Sequence, residues 1–122
     1  MALILVVDDD RDIRESMCRN LKLHGYEATT AKGGGEVLSR MREGLRPDLI
    51  LSDTDMFPDV GGVELVTLLK QQYPDTRIVL MTGGDHHKIA TAAGVQCYAK
   101  PFNPADAVAH ELSLQSILPS SG

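Results

Sequence analysis

Two cysteines are all the thiol that the 122-residue chain carries. Cys18 and Cys97 lie far apart and have neither metal-ligand nor redox spacing, so both read as free thiols. No apolar run approaches the roughly 18 residues of a membrane-crossing helix. No basic region leads into a long apolar stretch at the N-terminus, so no export signal is visible and a reducing cytoplasm is the expected location. Net charge is −5, with no basic stretch. A nucleic-acid surface is built on such stretches, so direct nucleic-acid binding is not expected, and neither is a membrane partner. There is no internal repeat. What remains is globular: 43% apolar and 24% charged residues, at a length that suits one domain with one sizeable core. That domain is expected over residues 1–118, with 119–122 as a tail or the start of a linker.

Hydrophobic patterning gives an alternation. Apolar runs at Leu3–Val7, Leu49–Leu51 and Ile78–Met81 read as strands buried on both faces. Weaker strands fit Glu27–Ala31 and Gln96–Ala99. Ile13, Met17 and Leu21 recur every four residues and form one face of a first helix, stopped at Gly25. Gly35–Glu43 is a short second helix. Val63, Val66, Leu69 and Tyr73 mark a third, stopped by Pro74. Asp85–Ala93 forms a short, weakly apolar fourth. Asn103-Pro104 is a cap followed by proline at the first helical position, opening a fifth helix with Val108 and Leu112. Strands alternating with helices imply a parallel sheet covered on both faces. The fold class is α/β, doubly wound (βα)5, flavodoxin-like, with strand order 2-1-3-4-5 and a shortened fourth helix.

In such sheets ligands bind beyond the carboxyl ends of the strands, where strand order reverses. Asp8 and Asp9 end the first strand in "VVDDD". Asp53 ends the third in "LILSDTD". Thr82 ends the fourth in "VLMTG", and Lys100 follows the fifth in "YAKPF". Strands 1 and 3 are neighbours in this order, so three carboxylates converge. Like charges that close repel, which calls for a positive partner. A hard divalent cation such as Mg²⁺ fits, because it takes a few carboxylates together with waters and phosphate oxygens. A lysine and a hydroxyl beside them suit the charge of a transferred phosphoryl group. Asp10 reads as the helix cap. "KGGGE" at residues 32–36 lacks the Gly-Lys-Ser/Thr ending of a phosphate loop and reads as a turn before the second helix. Adjacent His86 and His87 cannot easily face one ion.

With these four motifs in order on a (βα)5 pattern, nearly the whole chain resembles the receiver domain of two-component response regulators. The resemblance implies that Asp53 accepts a phosphoryl group from the phosphohistidine of a sensor histidine kinase or phosphotransfer domain. It implies that Asp8, Asp9, Asp53 and the Asp55 backbone carbonyl hold Mg²⁺, with Mn²⁺ as a substitute. Thr82 and Lys100 would then bind the phosphoryl oxygens and draw the nearby loops into the active arrangement. A cis peptide at Lys100-Pro101 is also implied. The chain would be a signalling domain with self-catalysed phosphorylation and dephosphorylation, acting on an output domain or a downstream protein.

Departures from the family pattern are specific. Asp53-Thr54-Asp55-Met56-Phe57-Pro58 carries one residue more than the usual Asp-x-x-Met-Pro, and Asp55 adds negative charge near the acceptor. The segment from Thr82 to Lys100 is shorter than usual. The family's switch aromatic falls three residues before the lysine, where this chain has Cys97, with Tyr98 next to it. Either Tyr98 takes that role through a one-residue gap, or the coupling of Thr82 to an aromatic is absent.

Two other readings compete. "DTD" at residues 53–55 also resembles the Asp-x-Asp motif of haloacid dehalogenase-like phosphatases, which would make Asp53 a nucleophile and Asp55 a general acid. That motif belongs on the first strand of its domain, whereas here an acid pair comes earlier. The other reading is a scaffold that uses only its surface, against which the acceptor, acid pair, threonine and lysine all speak.

Overall fold

The computed structural model describes residues 2–54 and 60–117. Five strands alternate with five helices: β1 Leu3–Val7, α1 Arg11–Leu23, β2 Glu27–Ala31, α2 Gly34–Arg42, β3 Leu49–Asp53, α3 Gly62–Gln72, β4 Arg77–Thr82, α4 His86–Ala93, β5 Cys97–Ala99 and α5 Pro104–Ile117. All strand pairs are parallel, and the sheet runs β2-β1-β3-β4-β5. The expected order is the observed one.

Strand alternation splits the core into two layers. On β1, Ile4 and Val6 pack with Met17 and Leu21 of α1 and Ala105 and Val108 of α5. Leu5 and Val7 pack on the other side with Val37 and Met41 of α2 and Leu65, Val66 and Leu69 of α3. Each fully buried aliphatic side chain contributes about 1.5–3 kcal/mol relative to an exposed one. Cys18 and Cys97 are buried free thiols, as expected.

Two of the apolar residues that mark these helices lie at the surface. Ile13 is 37% and Val63 39% exposed. Each sits in the first turn of its helix. On α3 the inner face is Leu65, Val66 and Leu69 instead. The boundaries also differ in places. β3 runs on to Asp53, β4 takes in Arg77 and Thr82, and β5 begins at Cys97 instead of Gln96.

Local caps set where the helices begin. The Asp10 carboxylate accepts from the Asp12 and Ile13 amides and opens α1, confirming it as a cap. Asn103 does the same for α5 through the Ala105 and Asp106 amides. Gly33 leads into α2, whose first residues are Gly34 and Gly35, and the Glu36 carboxylate accepts from the Lys32 amide. Gly62 lets α3 start directly against the end of β3, since a Cβ there would run into the Asp53 carbonyl.

Candidate functional site

Asp8 follows β1, and its amide donates to the Ala31 carbonyl of β2 at 3.3 Å. Its carboxylate is 1% exposed. One oxygen accepts from the Asp10 amide at 2.9 Å. The other lies 3.2 Å from the Lys100 ammonium. Asp53 is the last residue of β3 and is also buried. Lys100 reaches its Oδ1 at 3.2 Å as well. One lysine, projecting from the loop after β5, therefore bridges acids from two different strands. Asp9 is exposed but stays with them: one carboxylate oxygen each of Asp8, Asp9 and Asp53 lie within 4.8 Å of one another.

Electrostatics follow from this packing. Burial pushes the Asp53 carboxyl above the usual aspartate range, and the neighbouring charge of Asp8 adds to that, with Lys100 pulling the other way. Burial alone would lower Lys100, but Asp53 and Asp8 outweigh it and hold the amine above its ordinary value. The donor set is hard oxygen throughout, with more negative than positive charge, which fits a small divalent cation.

Thr82 ends β4 and is buried, and its hydroxyl accepts from the Gly84 amide at 3.0 Å. Its carbonyl accepts from the Lys100 amide at 2.7 Å, tying the β4 end to the lysine's own backbone. The Lys100-Pro101 peptide is cis, as the resemblance implied. Asp55, and with it the one-residue insertion, lies outside the described residues. His86 and His87 hold their rings tilted at 36°, with centroids 4.0 Å apart, at the start of α4 and join no group of three potential ligands among the described residues.

The position of Tyr98 is now fixed. Cys97 packs in the α2–α3 layer and Tyr98 in the α1–α5 layer. Leu80 shares the Cys97 layer, and two residues on, strand alternation puts Thr82 on that same face. Tyr98 thus points away from Thr82, and Cys97 stands in the switch position.

Two features were not anticipated from the sequence. Arg14, one turn into α1, donates to the carbonyls of Asp8 and Asp9 at 3.3 and 3.5 Å, bracing the acid turn. Glu111 is 1% exposed, receives the Tyr98 hydroxyl at 2.6 Å, and pairs with Arg77 at 2.8 Å. Burial and the Glu111 carboxylate both hold the Tyr98 phenol well above its ordinary value, so it remains a donor. The signal for Glu111 is its spacing: it falls three residues after Val108, on the inner face of α5.

A model of the response regulator receiver domain matches residues 4–110. The chain belongs to the response regulator receiver family. The transcriptional regulatory protein PrrA of Mycobacterium tuberculosis is 37% identical over 115 residues, covering 91% of this chain and 48% of PrrA. This receiver therefore spans about half the length of the transcriptional regulators it matches. Among solved structures, the chemotaxis protein CheY4 of Vibrio cholerae is 34% identical with a TM-score of 0.77, covering 97% of this chain and 99% of that one. The response regulator TrrA of Thermotoga maritima, solved with Mg²⁺ and BeF, is 32% identical with a TM-score of 0.77, covering 93% and 98%. Receiver membership, with Asp53 on the third strand in sequence, sets aside the dehalogenase-like alternative. It also makes the chain a signalling domain.

Proposed function

We propose that this receiver takes a phosphoryl group onto Asp53 from the phosphohistidine of a sensor histidine kinase or phosphotransfer domain, and passes the signal on by rearranging the loops around Thr82 and Lys100. The observation that carries this is the Lys100 ammonium at 3.2 Å from both Asp53 and Asp8. A buried carboxylate with a cation beside it, at the carboxyl edge of a doubly wound sheet, supports a role as nucleophile toward phosphorus. An Asp53 oxygen forms the new P–O bond. The P–N bond to the donor imidazole breaks, and its electron pair leaves with the ring nitrogen. Lys100 then compensates charge on the phosphoryl oxygens, and the Thr82 hydroxyl donates to one of them. Lys100 already neutralises part of the acid cluster, so the fully charged site is tolerable before the donor arrives.

Asp8, Asp9 and Asp53, with the Asp55 carbonyl, would hold Mg²⁺ or Mn²⁺. Bound there, the ion would supply positive charge to the phosphoryl oxygens during transfer. The same arrangement supports self-catalysed transfer from small acyl phosphates and slow self-catalysed hydrolysis. The receiver unit is taken as residues 1–118, with 119–122 a tail or linker. No helix among the described residues is long and apolar enough to cross a membrane, and a cytoplasmic location is part of this reading. The net charge of −5 argues against direct nucleic-acid contact by this unit. The output is a further domain or a separate protein, the former in line with matching half of a transcriptional regulator.

Incubation with acetyl phosphate and Mg²⁺ tests the reading. A single acid-stable, hydroxylamine-labile adduct on Asp53 is the expected result. Continuous turnover, or label on Asp55, would overturn it.

A further inference from the structure

The buried polar and charged side chains described are Asp8, Ser52, Asp53, Thr82 and Glu111. The first four belong to β1, β3 and β4 or their ends, at or beside the acid cluster. Glu111 does not; it lies on α5, and the phosphoryl chemistry leaves it unused. A buried carboxylate is costly unless fully paired, and this one is: Arg77 donates to Oε2 through Nε at 3.2 Å and Nη2 at 2.8 Å, and Tyr98 donates to Oε1 at 2.6 Å.

These partners are well separated. Arg77 opens β4, while Tyr98 pairs in register with Met81, four residues further along. At about 3.3 Å per residue the two backbone positions lie about 13 Å apart. Glu111 thus fastens α5 to both β4 and β5. Strand β5 needs such a fastening, because it is three residues long and, among the described residues, pairs only with β4. Lys100 comes directly after it. Tyr98 also stacks on Phe102, with ring centroids 5.6 Å apart, so the two rings bracket Lys100-Pro101.

We propose that Tyr98 and Glu111 are positioning residues for Lys100: the carboxylate fixes the phenol, the phenol fixes Phe102 and the end of β5, and the ammonium is thereby held between Asp8 and Asp53. Neither residue touches the phosphoryl group. Their effect on transfer runs through the lysine and rests on the acceptor reading above.

Two variants in the full chain separate positioning from general stability. Tyr98→Phe keeps the ring stack and removes only the hydroxyl. Glu111→Gln keeps an acceptor for Tyr98 and removes the charge that pairs with Arg77. For Tyr98→Phe, hydrogen exchange at the Lys100 amide is expected to rise about tenfold. Phosphorylation by acetyl phosphate at saturating Mg²⁺ is expected to slow about tenfold, within the range a small misplacement produces. Its Mg²⁺ affinity stays within about twofold of wild type. Glu111→Gln is expected to lower Tm more than Tyr98→Phe does, yet phosphorylate within about threefold of wild type. Unchanged Lys100 exchange in Tyr98→Phe, or rate losses that follow Tm losses across the two variants, would overturn the proposal. A wild-type chain inert to acetyl phosphate would overturn the acceptor reading instead, and the exchange measurement would still decide the positioning of Lys100.

Discussion

Tyr98 and Thr82 lie on opposite faces of the sheet, although their strands are paired. The threonine faces the α3 side with Cys97, and the tyrosine is bonded to Glu111 on the α5 side. A rotating tyrosine cannot report the state of Thr82 here, because strand pairing stands between them. Tyr98 is therefore expected to keep its rotamer and its bond to Glu111 on phosphorylation. Ring resonances of Tyr98, followed by NMR before and after acetyl phosphate with Mg²⁺, check this. A large shift with loss of the Glu111 contact would show that the aromatic moves after all.

Asp53→Asn should abolish phosphorylation and at the same time raise stability. Burial and Asp8 both disfavour the charged carboxylate, so its folded-state pKa is raised. The sign follows by linkage: such a group helps the fold while protonated, at pH below its ordinary value, and that help is lost as pH rises through the folded pKa. At neutral pH the ionised Asp53 is a burden that asparagine removes. A gain of about 1 kcal/mol, roughly 3–4 °C in Tm at this size, is expected without metal. The gain should shrink as pH falls toward the acid range and the wild-type carboxyl protonates. Thermal melts of both proteins across pH measure it. An equal or lower Tm for the variant at pH 7 would mean that the Lys100 pair outweighs burial.

Asp9 is exposed, and its carboxylate makes no hydrogen bond among those described, yet it lies within the carboxylate cluster. Asp9→Ala should weaken Mg²⁺ binding at least about tenfold, or about 1.4 kcal/mol, with the metal-free Tm unchanged or slightly higher as repulsion is relieved. Titration calorimetry and melts check both halves. A variant that melts lower without metal but binds Mg²⁺ normally would make Asp9 a structural residue.

Much of the candidate site was legible because each of its residues ends or closely follows a strand. A run of apolar residues stopping at Asp8, Asp53 or Thr82 locates a strand end, and the sheet order then brings those ends together. Burial separates Asp8 from Asp9, and no pattern of one or two adjacent acids foretells that. The face of Tyr98 was not legible for a different reason. Side chains alternate with period two, so placing the start of β5 one residue off reverses every assignment on so short a strand. Glu111 was missed because its partners come from other elements. Ile13 and Val63 kept the right period but fall in the first turns of their helices and are exposed.

Helix α4 should be the least protected element of the fold. It has eight residues, none of them buried, between an Asp85 cap and Gly94 at φ 72°. Only Ile89, Ala90 and Ala93 lean on the core, and alanines offer little area. Isolated helices of two turns are marginal, so this one depends on that thin contact. Lys70 reaches the Ala93 carbonyl at 3.4 Å, a long and exposed bond that adds little. Amide exchange across 85–93 should therefore be fast in the unphosphorylated protein, nearer to the rate of fraying ends than to that of α1. Receivers commonly dimerise through the face of helix 4, strand 5 and helix 5, which needs a regular helix 4 to carry contacts. With α4 this loosely held, phosphorylation should leave the chain monomeric through that face, as sedimentation with acetyl phosphate and Mg²⁺ would record. Slow exchange across 85–93, or a phosphorylation-dependent dimer lost in Lys88→Ala, would show that α4 is a firm element and an interface.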